Sequence, residues 1–224
     1  MVTSTRTGTF LLSDWLTHTP RHVLAKNFGV PESAFANVPD RELYIFQSNG
    51  PGPLTADRLL GTGLVPDWFS YPLLAQTPVR TKGGTMRVAD SSNFRASKAI
   101  AAALVEIEPG GMREIHYHSN GAEWQYYLGG QGRMTVYASA HKAATFDFQA
   151  GDVGYVPALM PHYVENTGTT TLSFLETFRS DRFEDISLAH WLALTPHELV
   201  RAHMHIDESV LRKVGLDRRP IVPV

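Results

Sequence analysis

The chain has 224 residues, 43% of them hydrophobic, which allows one domain with a full hydrophobic core and appended segments. Its formal charge of −2 comes from 20 basic and 22 acidic residues without a basic block, which argues against nucleic acid or an anionic membrane as partner. Cysteine is absent, which excludes disulfides, thiolate metal ligands and a thiol nucleophile.

The N-terminal sequence gives no sign of targeting to a membrane or for secretion. Its first residues, MVTSTRTGTF, lack the apolar core of a signal peptide, and no later run approaches the ~20 apolar residues of a membrane span. The absence of cysteine agrees with a reducing compartment. We therefore expect a soluble, cytoplasmic protein whose partners are small molecules and other subunits.

The two ends of the chain resemble each other. Residues 12–26, LSDWLTHTPRHVLAK, align with residues 188–202, LAHWLALTPHELVRA, at one constant offset. In both, Trp and Leu precede a Thr-Pro step, where Thr can cap a helix and Pro can occupy its first turn. Each end is predicted to be a helical arm. Two similar arms favour a homodimer with swapped helical arms, or a hexamer built from such dimers; the alternative is that both arms fold back on their own barrel.

A segment rich in proline and glycine follows the first arm, from residue 27 to residue 83. It contains one predicted strand, residues 43–47, and its composition predicts an extended strap along the rest of the protein. Residues 1–83 are thus expected to form an N-terminal arm and strap.

The middle of the chain has the pattern of a β protein. Turns that contain glycine and proline separate short segments rich in Val, Tyr, Thr and Phe. The predicted strands are residues 99–107, 113–118, 122–128, 132–138, 144–148, 151–156, 162–166 and 171–178. Many short strands at this spacing predict an all-β barrel or jelly roll over residues 84–180. Residues 181–224 would then form a C-terminal lid and helical arm.

The sequence EIHYHSNGAEW, residues 114–124, places two histidines and a glutamate in this strand pattern. Alternate residues of a strand share a face, so His116 and His118 point the same way, and Glu123 can enter the next strand beside them. His162 opens a later strand after a proline-bounded turn and can return to the same rim. An all-nitrogen and oxygen ligand set disfavours copper(I) and structural zinc and favours manganese, iron(II) or another divalent ion.

A second pair of histidines has the same spacing but a different context. His203 and His205 lie in the predicted C-terminal helical arm. Residues two apart on a helix do not face each other, so this pair is not predicted to bind a metal.

The metal-site residues stand in two motifs that resemble those of the cupin superfamily. The first motif matches at Gly110, His116, His118, Glu123 and Gly130. The second motif matches at Gly151, Pro157, His162 and Asn166. Leu159 stands where many cupins have glycine. The resemblance implies a single cupin jelly-roll barrel with helical arms at both ends.

Most of the chain further resembles the oxalate decarboxylase family, especially the second cupin domain of that two-domain enzyme. The shared segments are TFLLSDWL, ADSSNFRASK and GDVGYVP. This resemblance implies Mn(II) at His116, His118, Glu123 and His162, oxalate as substrate, formate and carbon dioxide as products, and dioxygen as co-catalyst. Fe, Co, Ni or Zn are alternative ions. The chain has one cupin domain where the family has two, so a homodimer could recreate the two-domain arrangement.

Three further residues are candidates for catalysis. The resemblance assigns Arg113 to substrate binding, although strict alternation would put it on the opposite face from His116 unless a bulge intervenes. Glu176 is in phase with inward-facing residues of the last strand, where burial would raise its pKa and suit it to donate a proton. Glu184 is the second candidate, on a lid loop after that strand; the Ser-Glu-Asn lid of the family is matched here only loosely.

Two other functions compete with oxalate decarboxylation. Oxalate oxidase uses similar ligands but yields hydrogen peroxide and carbon dioxide. A metal-stabilised module that binds a carboxylate without turnover belongs to a different class. The sequence leaves all three open.

Overall fold

The computed structural model describes residues 12–39, 45, 47, 49–50, 67–217 and 219–223. Its contacts divide the chain into two compact units, residues 1–63 and 64–224. The predicted strand at 43–47 lies outside the described residues except for residues 45 and 47.

The first unit contains the N-terminal arm. Its described helices are α1, Leu12–Thr17, and α2, Arg21–Phe28, followed by a 3₁₀ turn at Glu32–Phe35. Helix α2 ends at Gly29, whose φ of 67° lies in the left-handed region that glycine adopts without strain.

The C-terminal arm repeats this arrangement in the second unit, with one added helix. Its helices are α3, Leu188–Leu194, α4, His197–Met204, and α5, Glu208–Leu211. Helix α4 also ends at a residue in the left-handed region, His205, with φ 56°. None of the helices in the described part of the chain is long and apolar enough to cross a membrane.

The Thr-Pro step works differently from the prediction. Neither threonine caps the helix that follows it, because the position before each helix is taken by proline, which makes no side-chain cap. Instead the Thr19 hydroxyl donates back to the Trp15 carbonyl at 2.8 Å, and the Thr195 hydroxyl to the Trp191 carbonyl at 2.9 Å. Both arms are thus helical, as predicted, but the threonine closes the first helix and does not open the second.

The described part of the second unit contains twelve short strands. They are β1 Val79–Thr81, β2 Gly84–Ala89, β3 Ala101–Ile107, β4 Met112–Tyr117, β5 Glu123–Gly129, β6 Gln131–Ser139, β7 Lys142–Gln149, β8 Val153–Val156, β9 His162–Asn166, β10 Leu172–Phe178, β11 Ile186–Ser187 and β12 Ile221–Val222. All eight predicted strands are present as β3 to β10. The prediction missed β1, β2, β11 and β12.

The strands form two antiparallel sheets. The first sheet has the order β1-β2-β3-β10-β5-β8, and the second has the order β11-β4-β9-β6-β7, with β12 also paired to β4. The tight turn from β5 to β6 requires Gly130: its φ is 78°, and a Cβ there would lie 2.6 Å from the Thr171 carbonyl oxygen. The predicted all-β jelly roll with helical ends is therefore confirmed.

Apolar side chains from both sheets fill the core. The cluster consists of Met86, Ala103, Val105, Ile107, Tyr127, Met134, Val136, Val156, Val164, Leu172, Phe174 and Ile221. Tyr127 stacks on Phe148 and Phe174, with ring centroids 4.4 and 5.2 Å away. Each large side chain buried in this way contributes about 1.5–3 kcal/mol to folding.

Buried polar side chains accompany this apolar core. They include Arg113, Glu114, His116, His118, Glu123, Gln125, His162 and Glu176, each at most 5% exposed. Burying so many charged and polar groups costs free energy unless they are paired or bind an ion, so this cluster is the candidate functional site.

Candidate metal centre

Both sheets contribute to a cluster of three histidines and one glutamate. His116 lies in β4, His118 directly follows that strand, Glu123 begins β5 and His162 begins β9. Strands β4 and β9 pair so that His116 is opposite His162, which returns this distant residue to the same rim. One ligand atom of each of the four side chains lies within 4.8 Å of the others. The structure thus brings together all four residues that the sequence singled out.

The protonation of the imidazoles follows from their contacts to backbone carbonyls. Each Nδ1 lies at hydrogen-bond distance from a carbonyl oxygen, which can only accept, so each Nδ1 carries the proton. The distances are 2.7 Å from His116 to Glu114, 2.7 Å from His118 to Glu184, and 3.0 Å from His162 to Met160. In the neutral form of each imidazole, Nε2 then has a bare lone pair, as in histidines that bind metals through Nε2.

These lone pairs face an oxygen that also cannot donate. Glu123 Oε2 lies 3.1 Å from His118 Nε2 and 2.8 Å from His162 Nε2. It and the three Nε2 atoms are buried without a hydrogen-bond partner. Four acceptor atoms at this separation repel one another unless a cation lies among them. Three imidazoles and one carboxylate fit a divalent ion that prefers nitrogen and oxygen ligands.

The pKa shifts of His116 and Glu123 favour the protonation states that bind a cation. Burial, and next the charge of Arg113, hold the pKa of His116 well below its ordinary value, so the imidazole is neutral. Burial alone would raise the pKa of Glu123, but in the metal-free cluster a positive charge on His162, and next hydrogen bonds from His118 and His162, hold that pKa well below its ordinary value; a bound divalent ion would act in the same direction. Neutral imidazoles and an ionised carboxylate are the forms that bind metal ions.

A polar chain behind Glu123 fixes its orientation. The Gln125 amide donates to Glu123 Oε1 at 2.7 Å, and the Tyr127 hydroxyl donates to Gln125 Oε1 at 2.8 Å. Because alternate residues of β5 face inward, the three side chains form a column that leaves only Oε2 directed at the histidines. Gln125 was not predicted from the sequence, although a glutamine two residues from a ligand on one strand is a usable signal.

The turn before β9 connects the two histidine segments. The Leu159 N–H donates to the His118 carbonyl at 3.1 Å. Leu159 has φ 67°, a conformation that favours glycine, and its side chain is exposed. The substitution for glycine therefore strains the turn without disturbing the cluster.

Arg113 is fully buried next to the cluster. The expected irregularity in β4 is present as a shift in the pairing with β9 between Arg113 and His116. The guanidinium donates to the Pro220 carbonyl at 3.0 Å and to the Asp185 carboxylate, and its Nε lies 3.8 Å from Glu176 Oε1.

Glu176, in β10, is also fully buried, as its phase in the strand predicted. It lies opposite Gln125 on the neighbouring strand, and neither of its carboxyl oxygens has a hydrogen-bond partner. Burial, and next the charge of Glu123, raise the pKa of Glu176 to about 8. Its carboxyl group is therefore protonated at neutral pH.

The side chain of Glu184 is exposed, so the structure does not bring its carboxyl group into the cluster. Only its backbone carbonyl reaches the site, where it orients His118. The next residue, Asp185, has a buried side chain paired with Arg113. Sequence reasoning missed Asp185, because an aspartate in an acidic, charged loop gives no local sign of burial.

Comparison with known proteins points to one family. The model of the cupin family matches residues 71–211. Oxalate decarboxylase OxdC of Bacillus subtilis (strain 168) is 50% identical over 216 residues, which are 96% of this chain and 56% of that protein. A probable oxalate decarboxylase of Arthroderma benhamiae is 40% identical over 223 residues, 96% of this chain and 54% of that protein.

The fold comparison agrees. A structure of B. subtilis oxalate decarboxylase, from work on its Mn(II) centres, superimposes with a TM-score of 0.90 at 48% identity, covering 99% of this chain and 59% of that one. The chain thus spans little more than half the length of the relatives it matches.

Proposed function

The chain belongs to the cupin family, and we propose that it is an Mn(II)-dependent oxalate decarboxylase that converts oxalate to formate and carbon dioxide. One observation carries the proposal: Arg113 and the protonated Glu176 are buried beside four ligand atoms that need a cation. The similarity to oxalate decarboxylases supports the choice of substrate.

The metal ligands in this proposal are Nε2 of His116, His118 and His162 together with the Glu123 carboxylate. Mn(II) is the proposed ion, and Fe, Co, Ni or Zn are alternatives for the same ligand set. When bound, the ion supplies positive charge, open coordination positions and, with dioxygen as co-catalyst, one-electron redox chemistry.

Arg113 binds the substrate carboxylate in this proposal. Its planar guanidinium can hold a carboxylate through two parallel hydrogen bonds, and its burial strengthens them by excluding water. The strand β4 supports it together with His116, so that substrate and ion are held in a fixed relation.

Glu176 is the proposed proton donor. Loss of carbon dioxide from oxalate leaves a carbon that must accept one proton to become formate, and solvent then restores the proton to the acid. A carboxyl group with a pKa of about 8 holds this proton at neutral pH. Glu184 is the second candidate, and it would require the loop to bring its exposed side chain inward.

The products decide between the competing functions. ¹³C-labelled oxalate is given to manganese-loaded protein, and formate and hydrogen peroxide are assayed together. Formate without peroxide supports the decarboxylase. Peroxide without formate assigns an oxalate oxidase, and absence of both products assigns a carboxylate-binding module, so either result rejects the proposal.

We also propose a homodimer with swapped helical arms, or a hexamer of such dimers. The arms share one pattern and expose equivalent tryptophans, Trp15 at 59% and Trp191 at 60%. Light scattering on the wild type and on Trp191→Ala tests this proposal, which expects a dimer or larger assembly that the substitution weakens. Location in the cytoplasm, and the division into arm and strap (1–83), barrel (84–180) and lid with arm (181–224), are further proposals.

A further inference from the structure

The substrate-binding arginine already holds a carboxylate. The guanidinium of Arg113 pairs with Asp185, and this contact is shorter than its 3.8 Å separations from Glu176 and Glu114. Both partners have fully buried side chains. The position in which a substrate carboxylate would meet Arg113 is therefore taken by a residue of the chain itself.

The buried charges around Arg113 and the ion are already balanced before a substrate enters. The guanidinium and a divalent ion together carry three positive charges, which the buried carboxylates of Glu114, Glu123 and Asp185 already offset. Oxalate would add two negative charges to a buried region that is already balanced. Uncompensated buried charge is strongly unfavourable, so a carboxylate must leave when oxalate enters.

Asp185 is the carboxylate that can leave. Glu114 and Glu123 lie within strands β4 and β5, and Glu123 is needed as a ligand. Asp185 lies outside the strands, at the end of the connection between β10 and β11. The backbone of that connection, residues 179–185, is held by hydrogen bonds to Asp90, Ser91, His118 and Asn120 and by the packing of Phe183 on the core. Asp185 can therefore leave Arg113 by a rotation of its own side chain, which no strand pairing fixes.

We propose that Asp185 is a built-in competitor that occupies the carboxylate position on Arg113 until a small dicarboxylate displaces it. This inference rests on the proposed function and deepens it. Oxalate can replace Asp185 because one of its carboxylates pairs with Arg113 while the other remains for the ion. A monocarboxylate such as formate has no second anchor, so Asp185 favours dicarboxylates and helps to expel the product.

The test is a calorimetric titration of oxalate into manganese-loaded protein. Asp185→Asn removes the charge but keeps the size, and the dissociation constant for oxalate should fall about tenfold, because no competing carboxylate remains. Tighter binding is a gain that structural damage would not produce. Asp185→Ser gives a second uncharged variant with the same expected direction, in case the asparagine variant does not fold.

Asn120→Ala is the matched control. It loosens the same connection without freeing Arg113, and trypsin should cleave faster after the exposed Arg182 in both variants. The oxalate affinity of Asn120→Ala should stay within about twofold of the wild type. The inference would be overturned if Asn120→Ala gained as much oxalate affinity as Asp185→Asn, or if neither Asp185 variant bound oxalate more tightly than the wild type.

Formate production separates this inference from the function on which it rests. Wild-type protein that binds oxalate but makes no formate rejects the decarboxylase, while tighter binding by Asp185→Asn still supports the competitor. Formate production with unchanged affinity in the Asp185 variants rejects the competitor alone. Absence of oxalate binding in all proteins rejects both.

Discussion

Two histidine pairs with the same spacing behave in opposite ways in this molecule. His116 and His118 are on and next to strand β4, at most 3% exposed. His203 lies in the last turn of α4 and His205 directly after it, and both are exposed. Each Nδ1 of the first pair meets a backbone carbonyl, which prepares Nε2 for a cation.

The difference shows that the spacing of two histidines predicts a metal site only when the secondary structure of the backbone places both on one face. An extended strand puts alternate residues on one face, whereas on a helix residues two apart diverge. The buried pair also has Glu123 and His162 converging on it from other strands. Substitutions at and around the two pairs test this difference.

Removal of a ligand from the buried pair should have the largest effect. His118→Gln should weaken manganese binding by more than the roughly 10–100-fold that loss of an outer partner costs, and formate production should disappear. Elemental analysis after dialysis and a manganese titration check this. Full metal content in the variant would show that the ion binds elsewhere.

Loss of the proposed acid beside the buried pair comes next. Glu176→Gln should lower the rate of formate production by about 10²–10⁴-fold, because an amide cannot donate the proton, while manganese content stays the same. Glu184→Gln is the comparison, with an exposed carboxyl group, and should retain the wild-type rate. The reverse order of these two rates would assign the acid to Glu184.

The same acid should control the pH dependence of stability in metal-free protein. Between the ordinary pKa of 4.5 and about 8, folded Glu176 keeps a proton that the unfolded chain has lost. The wild-type free energy of unfolding should therefore fall as pH rises through this window, by at most about 5 kcal/mol from this group. Glu176→Gln should remove that contribution, as measured by urea unfolding at pH 5 and pH 9. Equal pH dependence in both proteins would contradict the raised pKa.

A smaller effect is expected from the residue that orients Glu123. Gln125→Met keeps approximate size but removes the donor to Glu123 Oε1, and manganese affinity should fall about 10–100-fold. Gln131→Met, at an exposed position of β6, is the control that should leave affinity unchanged. An equal loss in both variants would point to general destabilisation.

The exposed histidine pair should give no effect. His203→Gln with His205→Asn, the latter chosen because asparagine tolerates a φ of 56°, should leave manganese affinity within about a factor of two of the wild type. A loss of bound metal in this double variant would remove the distinction between the two pairs.

Local patterns in the sequence predicted most of the fold and the four candidate ligands. The eight central strands have alternating apolar residues and clear turn signals, and His116 and His118 can be assigned to one face by parity alone. Strands β11 and β12 have two residues each and exist only because β4 offers them an edge. The sequence around these two-residue strands gives no sign of a pairing with a strand so distant along the chain.

The electrostatic partners were also beyond local reasoning. Asp185 is paired with Arg113 across 72 positions of sequence, and Gln125 gains its role only from the carboxylate beside it. The Thr-Pro steps show the same limit. Thr19 and Thr195 are residues that often cap the next helix, but here their hydroxyls donate to the carbonyls of Trp15 and Trp191 in the preceding helix. The burial of a side chain and its distant partners are set by the tertiary structure, so nearby sequence alone does not predict them.

The most direct test is a crystal of the manganese-loaded protein measured at wavelengths on both sides of the manganese absorption edge. We predict one anomalous peak within coordination distance of Nε2 of His116, His118 and His162 and of a Glu123 carboxylate oxygen. An anomalous peak elsewhere in the chain would contradict the metal centre. So would the absence of a peak between the Glu123 carboxylate and the three imidazoles while these groups keep their positions.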